Sequence, residues 1–313
     1  MVEIVKLPSA PSGLHQPHLR SALPPLPAAF DPLAMLLVET ATGRERAIAR
    51  LYELMGGRLL SVAHRIVGRR DLAEDVLQES FLRIWRSAHQ YDPAKGPAYA
   101  WLVSIVRNRA LSAKARMARD EGSRSEIDGD RVSFDGPDAA DQVVRSEEAR
   151  RVNACLLNLP LNHRRSVALV YFEGLTHREL AERLGVQLGT AKSWVRRGLA
   201  KMGQCLTGQA EPEWRELVAA DYAVGCLRGP ARRGFERRRE RDARYCRPAD
   251  FWEAKLALLT ESLPDSALPP QLWKRIEKEV ASNRITFARP LFWQAASAIL
   301  VAAIAVLLLY FVR

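Results

Sequence analysis

The chain has 313 residues, 48% of them hydrophobic, and a formal net charge of +11 with a pI near 9.9. Its length gives room for two or three small domains, each able to bury its own core, which argues against a single domain. The positive charge favours an anionic partner, either nucleic acid or the inner face of a membrane, and charge alone does not choose between them.

The sequence gives no indication of enzyme chemistry. It contains no Ser–His–Asp arrangement, no paired carboxylates and no phosphate-binding loop, so we expect no catalytic residue and no cofactor. The four cysteines, Cys155, Cys205, Cys226 and Cys246, form no CxxC pair and have no histidine at metal-ligand spacing. We therefore expect reduced, mostly buried thiols, with neither a metal site nor a disulfide framework.

The N-terminal part of the chain combines a proline-rich arm with a helical domain. Residues 1–33 have prolines where a signal peptide would need an apolar run, and we expect a disordered arm. Residues 34–117 are rich in helix formers and are broken only at "YDPAKGP", which predicts a helical domain. One of its helices should have an apolar face, formed by Leu72, Val76, Phe81, Ile84 and Trp85.

The opposite face of that helix is mostly acidic, which is unusual in a basic chain. It consists of Asp71, Glu74, Asp75, Gln78, Glu79 and Arg83. Taken alone, solvation is the simplest explanation of such a face.

A linker and a second helical domain follow. Residues 118–145 are rich in Asp, Gly and Ser, which is typical of a linker, and residues 146–206 again have helical periodicity. Within the second domain, Thr176 and Glu179 make a capping box, so that a helix should begin at the next residue, His177. Gly185 is placed to end this helix and to form the turn of a helix-turn-helix.

The second helix of this motif should start near Leu188. Its inward face is formed by Ala191, Val195, Leu199 and Met202. The opposite side carries Gly189, Thr190, Ser193, Arg196 and Arg197, with Lys192 and Trp194 on the flanks. Such a face suits a DNA major groove, because hydroxyls and N–H groups bind phosphate while Arg and Lys pair with guanine edges. The alternative is a solvated basic helix in an ordinary bundle.

Two segments resemble one known family. "YFEGLTHRELAERLGVQLGTAKSWVRRGL" resembles the −35 reading domain, domain 4, of bacterial sigma factors of the extracytoplasmic-function (ECF) type, in the sigma-70 family. "DLAEDVLQESFLRIW" followed by "AWLVSIVRNRAL" resembles domain 2 of the same family. The resemblance implies a transcription initiation factor that binds core RNA polymerase, through the β′ clamp and the β flap, and directs it to −35 and −10 promoter elements.

The resemblance also assigns residues to these roles. The acidic face described above would bind the polymerase clamp. The −35 element would be read by Thr190, Lys192, Ser193, Arg196 and Arg197. The segment 91–116 would melt and read the −10 element, with contacts from Tyr91, Lys95, Arg107, Asn108, Arg109 and Lys114. An opened strand offers π-faces and phosphates to such aromatic and cationic side chains. Trp101 lies in the same segment, but its spacing with Ile105 fits a core residue better.

A third block, residues 211–285, resembles the cytoplasmic domain of membrane-bound anti-sigma factors. The matching segments are "LVAADYAVGCLRGPARRGFERR", a third helix with a tryptophan, a proline-rich break and "LWKRI". The resemblance implies an intramolecular contact that restrains the sigma factor in cis. Nine arginines lie between Arg228 and Arg247. They could form a solvated face, an anionic-lipid contact or a partner for the acidic face of domain 2.

The last block, residues 291–312, contains no charged residue. As a helix it would reach about 33 Å, enough to cross a bilayer core of about 30 Å. Trp293 and Tyr310 suit the two interfaces, and positive charge is concentrated on the N-terminal side, at Lys274, Arg275, Lys278, Arg284 and Arg289. This pattern predicts a single-pass protein on the cytoplasmic face of the bacterial inner membrane, with its N-terminus inside.

These patterns together predict an all-α fold. It would contain the two helical sigma domains, domain 2 and the helix-turn-helix domain 4, a small helical anti-sigma-like domain and one C-terminal transmembrane helix. The expected function is a membrane-tethered ECF sigma factor, not an enzyme. The alternative is a membrane-anchored scaffold with a degenerate sigma-like module.

Overall fold

The computed structural model describes residues 31–120, 146–209 and 212–282. Four helices form an N-terminal bundle: α1 (Pro32–Ala41), α2 (Glu45–Val67), α3 (Arg70–Ser87) and α4 (Ala98–Asp120). Four more form a middle bundle: α5 (Glu147–Leu157), α6 (Leu161–Glu173), α7 (His177–Leu184) and α8 (Leu188–Thr207). The C-terminal bundle contains α9 (Trp214–Ala223), α10 (Gly229–Arg239), α11 (Ala243–Leu258) and α12, residues 270–282. The expected all-α architecture is thus found throughout the described residues.

The N-terminal bundle forms around the apolar side of α3. Phe81, Ile84 and Trp85 are at most 1% exposed, and they pack among α2 and α4, which also contact each other. Leu72 lies at the edge of this core and is partly exposed. The apolar face predicted for this helix is therefore confirmed. Burial of such one-sided apolar faces is the main force that packs the three helices together.

The middle bundle contains the predicted helix-turn-helix. The side chain of Thr176 accepts a hydrogen bond from the Glu179 amide at 3.2 Å, and the Glu179 carboxylate accepts one from the Thr176 amide at 2.6 Å. Gly185 ends α7 with a φ of 64°, a left-handed conformation that favours glycine. Ala191, Val195, Leu199 and Met202 of α8 are fully buried. The capping box, the turn and the inward face are all confirmed.

A disulfide corrects the expectation of four reduced thiols. Cys155 of α5 and Cys205 of α8 are bonded, with their Cα atoms 5.9 Å apart, while Cys226 and Cys246 are free. The two bonded residues are 50 positions apart in the sequence, so no short motif marks them. The packing of α5 against α8 brings them together.

The C-terminal bundle is built on α11, which packs against α9 and α10 and also against helices of both other bundles, α4 and α5. Trp252 of α11 is 2% exposed, and it lies so close to Gly203 of α8 that a Cβ at this glycine would be 3.3 Å from its ring. The three bundles therefore share one continuous core.

The expected transmembrane helix, and the inner-membrane location derived from it, need correction. Within residues 31–120, 146–209 and 212–282, no helix has both the length and the apolarity to cross a bilayer. The longest described helices, α2 and α4 with 23 residues each, carry charged side chains, which are costly at the bilayer centre. The segment 291–312, on which the expectation rested, lies outside the described residues. The described residues are thus all-α and include no transmembrane helix.

Candidate functional site

The acidic face of α3 faces α12. Asp75 pairs with Arg275 at 3.5 Å, and the Gln78 amide donates to the Glu279 carboxylate at 2.8 Å. The ring of Trp273 lies 5.1 Å from that of Tyr52, which packs in turn on Phe81. Three further acidic residues of the face pair with arginines of the N-terminal bundle: Asp71 with Arg69, Glu74 with Arg70, and Glu79 with Arg109. The last residue of the face, Arg83, is exposed. Hence α12 covers the middle of the face predicted to bind polymerase.

Between α11 and α12 the chain runs along α2. We call this segment, residues 259–269, the strap. Arg58 of α2 is 6% exposed and donates to the Asp265 carboxylate at 2.6 Å and to the Glu261 main-chain oxygen at 2.9 Å. Ser61 donates to the Pro264 oxygen at 2.6 Å. These hydrogen bonds hold the strap against α2 along several residues.

Two adjacent glycines allow this close approach. The Ser266 amide donates to the Gly57 oxygen at 3.1 Å, and a Cβ at Gly57 would be 2.9 Å from the Ser266 oxygen. A Cβ at Gly56 would meet Leu268 at the same distance. Glycine inside a helix is otherwise unfavourable by about 1 kcal/mol relative to alanine, so this pair has a packing reason.

Arg107 of α4 lies where the three bundles meet. Its guanidinium donates to the main-chain oxygens of Ala223 at 2.8 Å, Val224 at 2.6 Å and Tyr171 at 3.0 Å, and it stacks 4.2 Å from the Tyr171 ring centroid. These oxygens belong to the last turns of α6 and α9, where carbonyls lack intrahelical partners and the helix dipole is negative. Burial lowers the pKa of Arg107 to about 10, so that it remains cationic at neutral pH.

Other residues predicted to read the −10 element also face the C-terminal and middle bundles. Asn108 accepts a hydrogen bond from Arg232 of α10 at 3.1 Å, and Lys114 is buried and donates to the Glu173 oxygen at 2.7 Å. Arg109 instead pairs with Glu79 within the N-terminal bundle at 3.3 Å. The structure thus brings buried Arg107 and Lys114 and half-buried Asn108 together where α4 meets the other two bundles, and we call this contact the seam.

Tyr91 and Lys95 lie at the edge of this seam. They line a cavity of about 300 Å³ whose opposite wall is formed by Arg239, Asp250 and Glu253. Arg239 pairs with both carboxylates, at 2.5 Å and 2.7 Å. Trp101 lines the same cavity, 5.8 Å from the Tyr91 ring, and packs against the core as its spacing suggested.

The outward face of α8 is arranged differently. Lys192, Arg196 and Arg197 are exposed, and Thr190 and Ser193 are half-buried. None of the three cations pairs with a carboxylate of a described residue. Of the predicted nucleic-acid contacts, those on α8 are therefore accessible, whereas those on α4 are largely covered.

Sequence reasoning missed the strap, the Gly56–Gly57 pair and the buried role of Arg107. Adjacent glycines within a strongly helical segment were an available signal, since they often mark a close approach of another chain segment. Arg107 had no comparable signal, because its partners are main-chain oxygens 64 and more positions away in the sequence.

Comparison with known proteins gives a consistent result. The profile of Sigma-70 region 2 matches residues 51–120, and that of Sigma-70, region 4 matches residues 149–202. The chain is 32% identical over 183 residues to the ECF RNA polymerase sigma factor SigK of Mycolicibacterium vanbaalenii, covering 58% of this chain and 92% of that protein. It is 34% identical over 184 residues to the SigK of Mycobacterium sp. strain KMS, covering 58% of this chain and 94% of that protein.

Among solved structures, CnrH in complex with the cytosolic domain of CnrY is 23% identical, with a TM-score of 0.28, covering 57% of this chain and all of that chain. The two region profiles and the extent of the SigK alignments identify the family. The chain belongs to the ECF RNA polymerase sigma factors of the sigma-70 family.

Proposed function

We propose that this chain is an ECF sigma factor whose own C-terminal bundle keeps it in a closed, inactive state. Sigma factors are transcription initiation factors and not enzymes, and the family membership carries that part of the function. The observation that carries the rest is Arg107, a candidate −10 contact that is buried and donates all its described hydrogen bonds to main-chain oxygens of α6 and α9.

The assignment of the DNA-reading residues is part of this proposal. Tyr91, Lys95, Arg107, Asn108, Arg109 and Lys114 would contact the −10 element, where aromatic rings stack on unpaired bases and cations bind phosphates. In the closed state Arg107 and Lys114 are buried and Asn108 is hydrogen-bonded to Arg232. The seam therefore has to open before a promoter strand can reach them.

The polymerase face is the second part. A clamp docking on Asp71, Glu74, Asp75, Gln78, Glu79 and Arg83 would compete with α12, which contacts Asp75 and Gln78. Because the C-terminal bundle is part of the same chain, it competes at an effective concentration that reaches about millimolar for short linkers. A closed resting state follows, even though each contact on this face is weak by itself.

Opening of the seam is opposed by the loss of the hydrogen bonds that Arg107 donates. A buried guanidinium that loses its acceptors without reaching water is destabilised by several kcal/mol, so Arg107 couples the three bundles to one another. Opening therefore releases α4, α6 and α9 together. A binding partner or a cleavage that removes the C-terminal bundle would expose both functional faces of the N-terminal bundle.

Transcription by reconstituted holoenzyme tests the proposal. We expect the full chain to direct little initiation by core polymerase. A chain ending at residue 208 should direct at least about tenfold more initiation from a selected promoter, because a closed state that is favoured by more than about 1.4 kcal/mol lowers the open fraction at least tenfold. Circular dichroism would establish that the shortened chain is folded. Equal activity of the two chains would refute restraint in cis, and folded protein without activity would refute the sigma role of these residues.

The −35 assignment needs a separate test. Replacement of both Arg196 and Arg197 by alanine should weaken binding of the full chain to duplex DNA and reduce the dependence of log K on log salt by about two counterions. Replacement of Arg46 and Arg86, two exposed arginines of the N-terminal bundle, removes the same charge. If this control weakened duplex binding as much, the α8 face would have no particular role.

A further inference from the structure

We propose that the C-terminal bundle carries a binding site for single-stranded nucleic acid. We call it the arginine–aromatic site, and it consists of Trp214, Arg237, Arg238, Arg241, Arg244 and Tyr245. None of these residues takes part in the contacts between bundles described above. The proposal therefore stands independently of the closed-state function.

The first support is an unbalanced concentration of positive charge. Arg237, Arg238, Arg241 and Arg244 line an open concavity of about 420 Å³ at the end of α10 and the start of α11, and Asp242 is the one acid in its lining. Asp242 pairs with Arg244 at 2.9 Å, whereas the other three arginines have no ion pair with a described residue. Arg237 and Arg238 lie in the last turn of α10 and Arg241 follows in the next turn of the chain, so three unpaired like charges repel one another there, and a bound anion would offset that repulsion.

The second support is aromatic. Tyr245 forms part of the lining, and Trp214 lies beside it with ring centroids 6.3 Å apart at an angle of 74°. Trp214 is 51% exposed, and it is the one aromatic among the exposed large hydrophobic side chains of the described residues. Phe235 packs under Tyr245 at 6.0 Å and holds that ring in place.

Guanidinium groups and rings alternate in this site. Arg215 lies 5.1 Å from the Trp214 ring centroid, and Arg238 lies 5.9 Å from that of Tyr245. Trp214 is exposed and Tyr245 is half-buried. Accessible rings flanked by cations are the arrangement that binds single strands, in which bases stack on the rings while phosphates meet the charges. Arginine suits this role better than lysine, because its planar group can bind phosphate through two hydrogen bonds.

Other partners fit the site less well. The described contacts that the C-terminal bundle makes with the acidic α3 face come from α12 and not from α10, so the arginines of α10 are not partners of that face. A DNA duplex keeps its base faces stacked inside and could use only the arginines. An anionic lipid surface attracts Lys and Arg alike and requires no concavity. Only an unpaired strand uses the charge, the concavity and both rings.

Fluorescence anisotropy with the full chain and a labelled oligothymidylate tests this inference. We expect Arg237→Ala combined with Arg241→Ala to reduce the slope of log K against log salt by about 1.4, which is 0.7 per lost phosphate contact on a single strand. Trp214→Ala should weaken binding by about tenfold while leaving that slope nearly unchanged, because stacking does not release counterions. The charge-matched control, Arg46→Ala with Arg86→Ala, should retain binding within about twofold.

Three outcomes would overturn the inference. The first is the absence of oligothymidylate binding at low salt. The second is an effect of Trp214→Ala no larger than that of the control, which would leave only an unspecific charge effect. The third is that binding of a duplex of the same length, or of phosphatidylglycerol vesicles, depends on Arg237 and Arg241 as much as oligothymidylate binding does, or more. Because every substituted side chain is exposed, each variant should keep the far-UV circular dichroism spectrum of the natural chain, which shows that it is folded.

Discussion

Arg107 donates a hydrogen bond of 2.6 Å to the main-chain oxygen of Val224, 117 positions further along the chain. The bond joins α4, which carries four of the six candidate −10 contacts, to the end of α9 in the C-terminal bundle. Since the same guanidinium also reaches Tyr171 of α6, one side chain connects all three bundles. The fold and the proposed regulation depend on this connection.

Replacement of Arg107 by alanine should strongly destabilise the full chain. The change leaves the buried oxygens of Ala223, Val224 and Tyr171 without their donor, and we expect a loss of about 3–5 kcal/mol in the free energy of unfolding. Urea denaturation measures it. Arg109→Ala, two residues further along α4 but paired at the surface, should change stability by less than about 1 kcal/mol. Similar losses for the two variants would contradict the role given to Arg107.

Gly57→Ala should move the strap away from α2, although alanine is more favourable than glycine within this helix. A methyl group there would be 2.9 Å from the Ser266 oxygen, so the strap must move away from α2. We expect faster proteolysis of residues 259–269 and a severalfold increase in transcription by the full chain. Gly234→Ala is the matched control, because a Cβ at this helical glycine meets nothing within 4 Å. It should stabilise α10 by up to about 1 kcal/mol without changing transcription. An unchanged strap in Gly57→Ala would show that the glycine pair is not required.

Arg275→Glu should weaken the cover over the α3 face. The change replaces an attraction to Asp75 by a repulsion, and because both side chains are about half exposed we expect only about 0.5–1 kcal/mol, or a two- to fivefold larger open fraction. Affinity for core polymerase measures this fraction. Lys278→Glu makes the same change of charge on an exposed side chain of α12, and it should leave the affinity within twofold. Equal gains from both variants would indicate a general charge effect.

Asp221 gives the closed state a pH dependence. Burial raises the pKa of its carboxyl to about 6, against the opposing effect of Arg196. A raised pKa in the folded state stabilises the fold below the unfolded pKa of about 4, and this contribution is lost as the pH rises through about 6. Asp221→Asn should therefore be more stable than the natural chain by about 1–2 kcal/mol at about pH 7, and equally stable near pH 4. Thermal unfolding across this range would detect it, and a difference independent of pH would exclude titration of Asp221 as its cause.

The helices themselves were predictable because their signals are local. The apolar stripe of α3, the capping box at Thr176 and the inward face of α8 each depend on residues within a few turns of one another. The same holds for the exposed arginines of α8. Sequence periodicity determines which side of a helix is apolar, and packing then buries that side.

The contacts between bundles were not predictable in this way. Arg107 and Lys114 have the composition of nucleic-acid contacts, and only the tertiary arrangement shows that main-chain oxygens of other bundles now occupy them. The Cys155–Cys205 disulfide and the ion pair between Arg58 and Asp265 likewise join residues 50 and 207 positions apart. The transmembrane prediction used hydropathy, interfacial aromatic residues and flanking positive charge, and it concerned residues outside those that the structure describes.

A cross-link between Ser61 and Ser266 tests most directly whether closure excludes polymerase. The two hydroxyl oxygens lie 2.8 Å apart, so cysteines at both positions can form a disulfide that locks the strap on α2. We predict that the oxidised double variant fails to bind core polymerase. After addition of a reductant, the variant should bind as well as the natural chain that has received the same treatment. Full binding of polymerase by the locked chain would contradict the account.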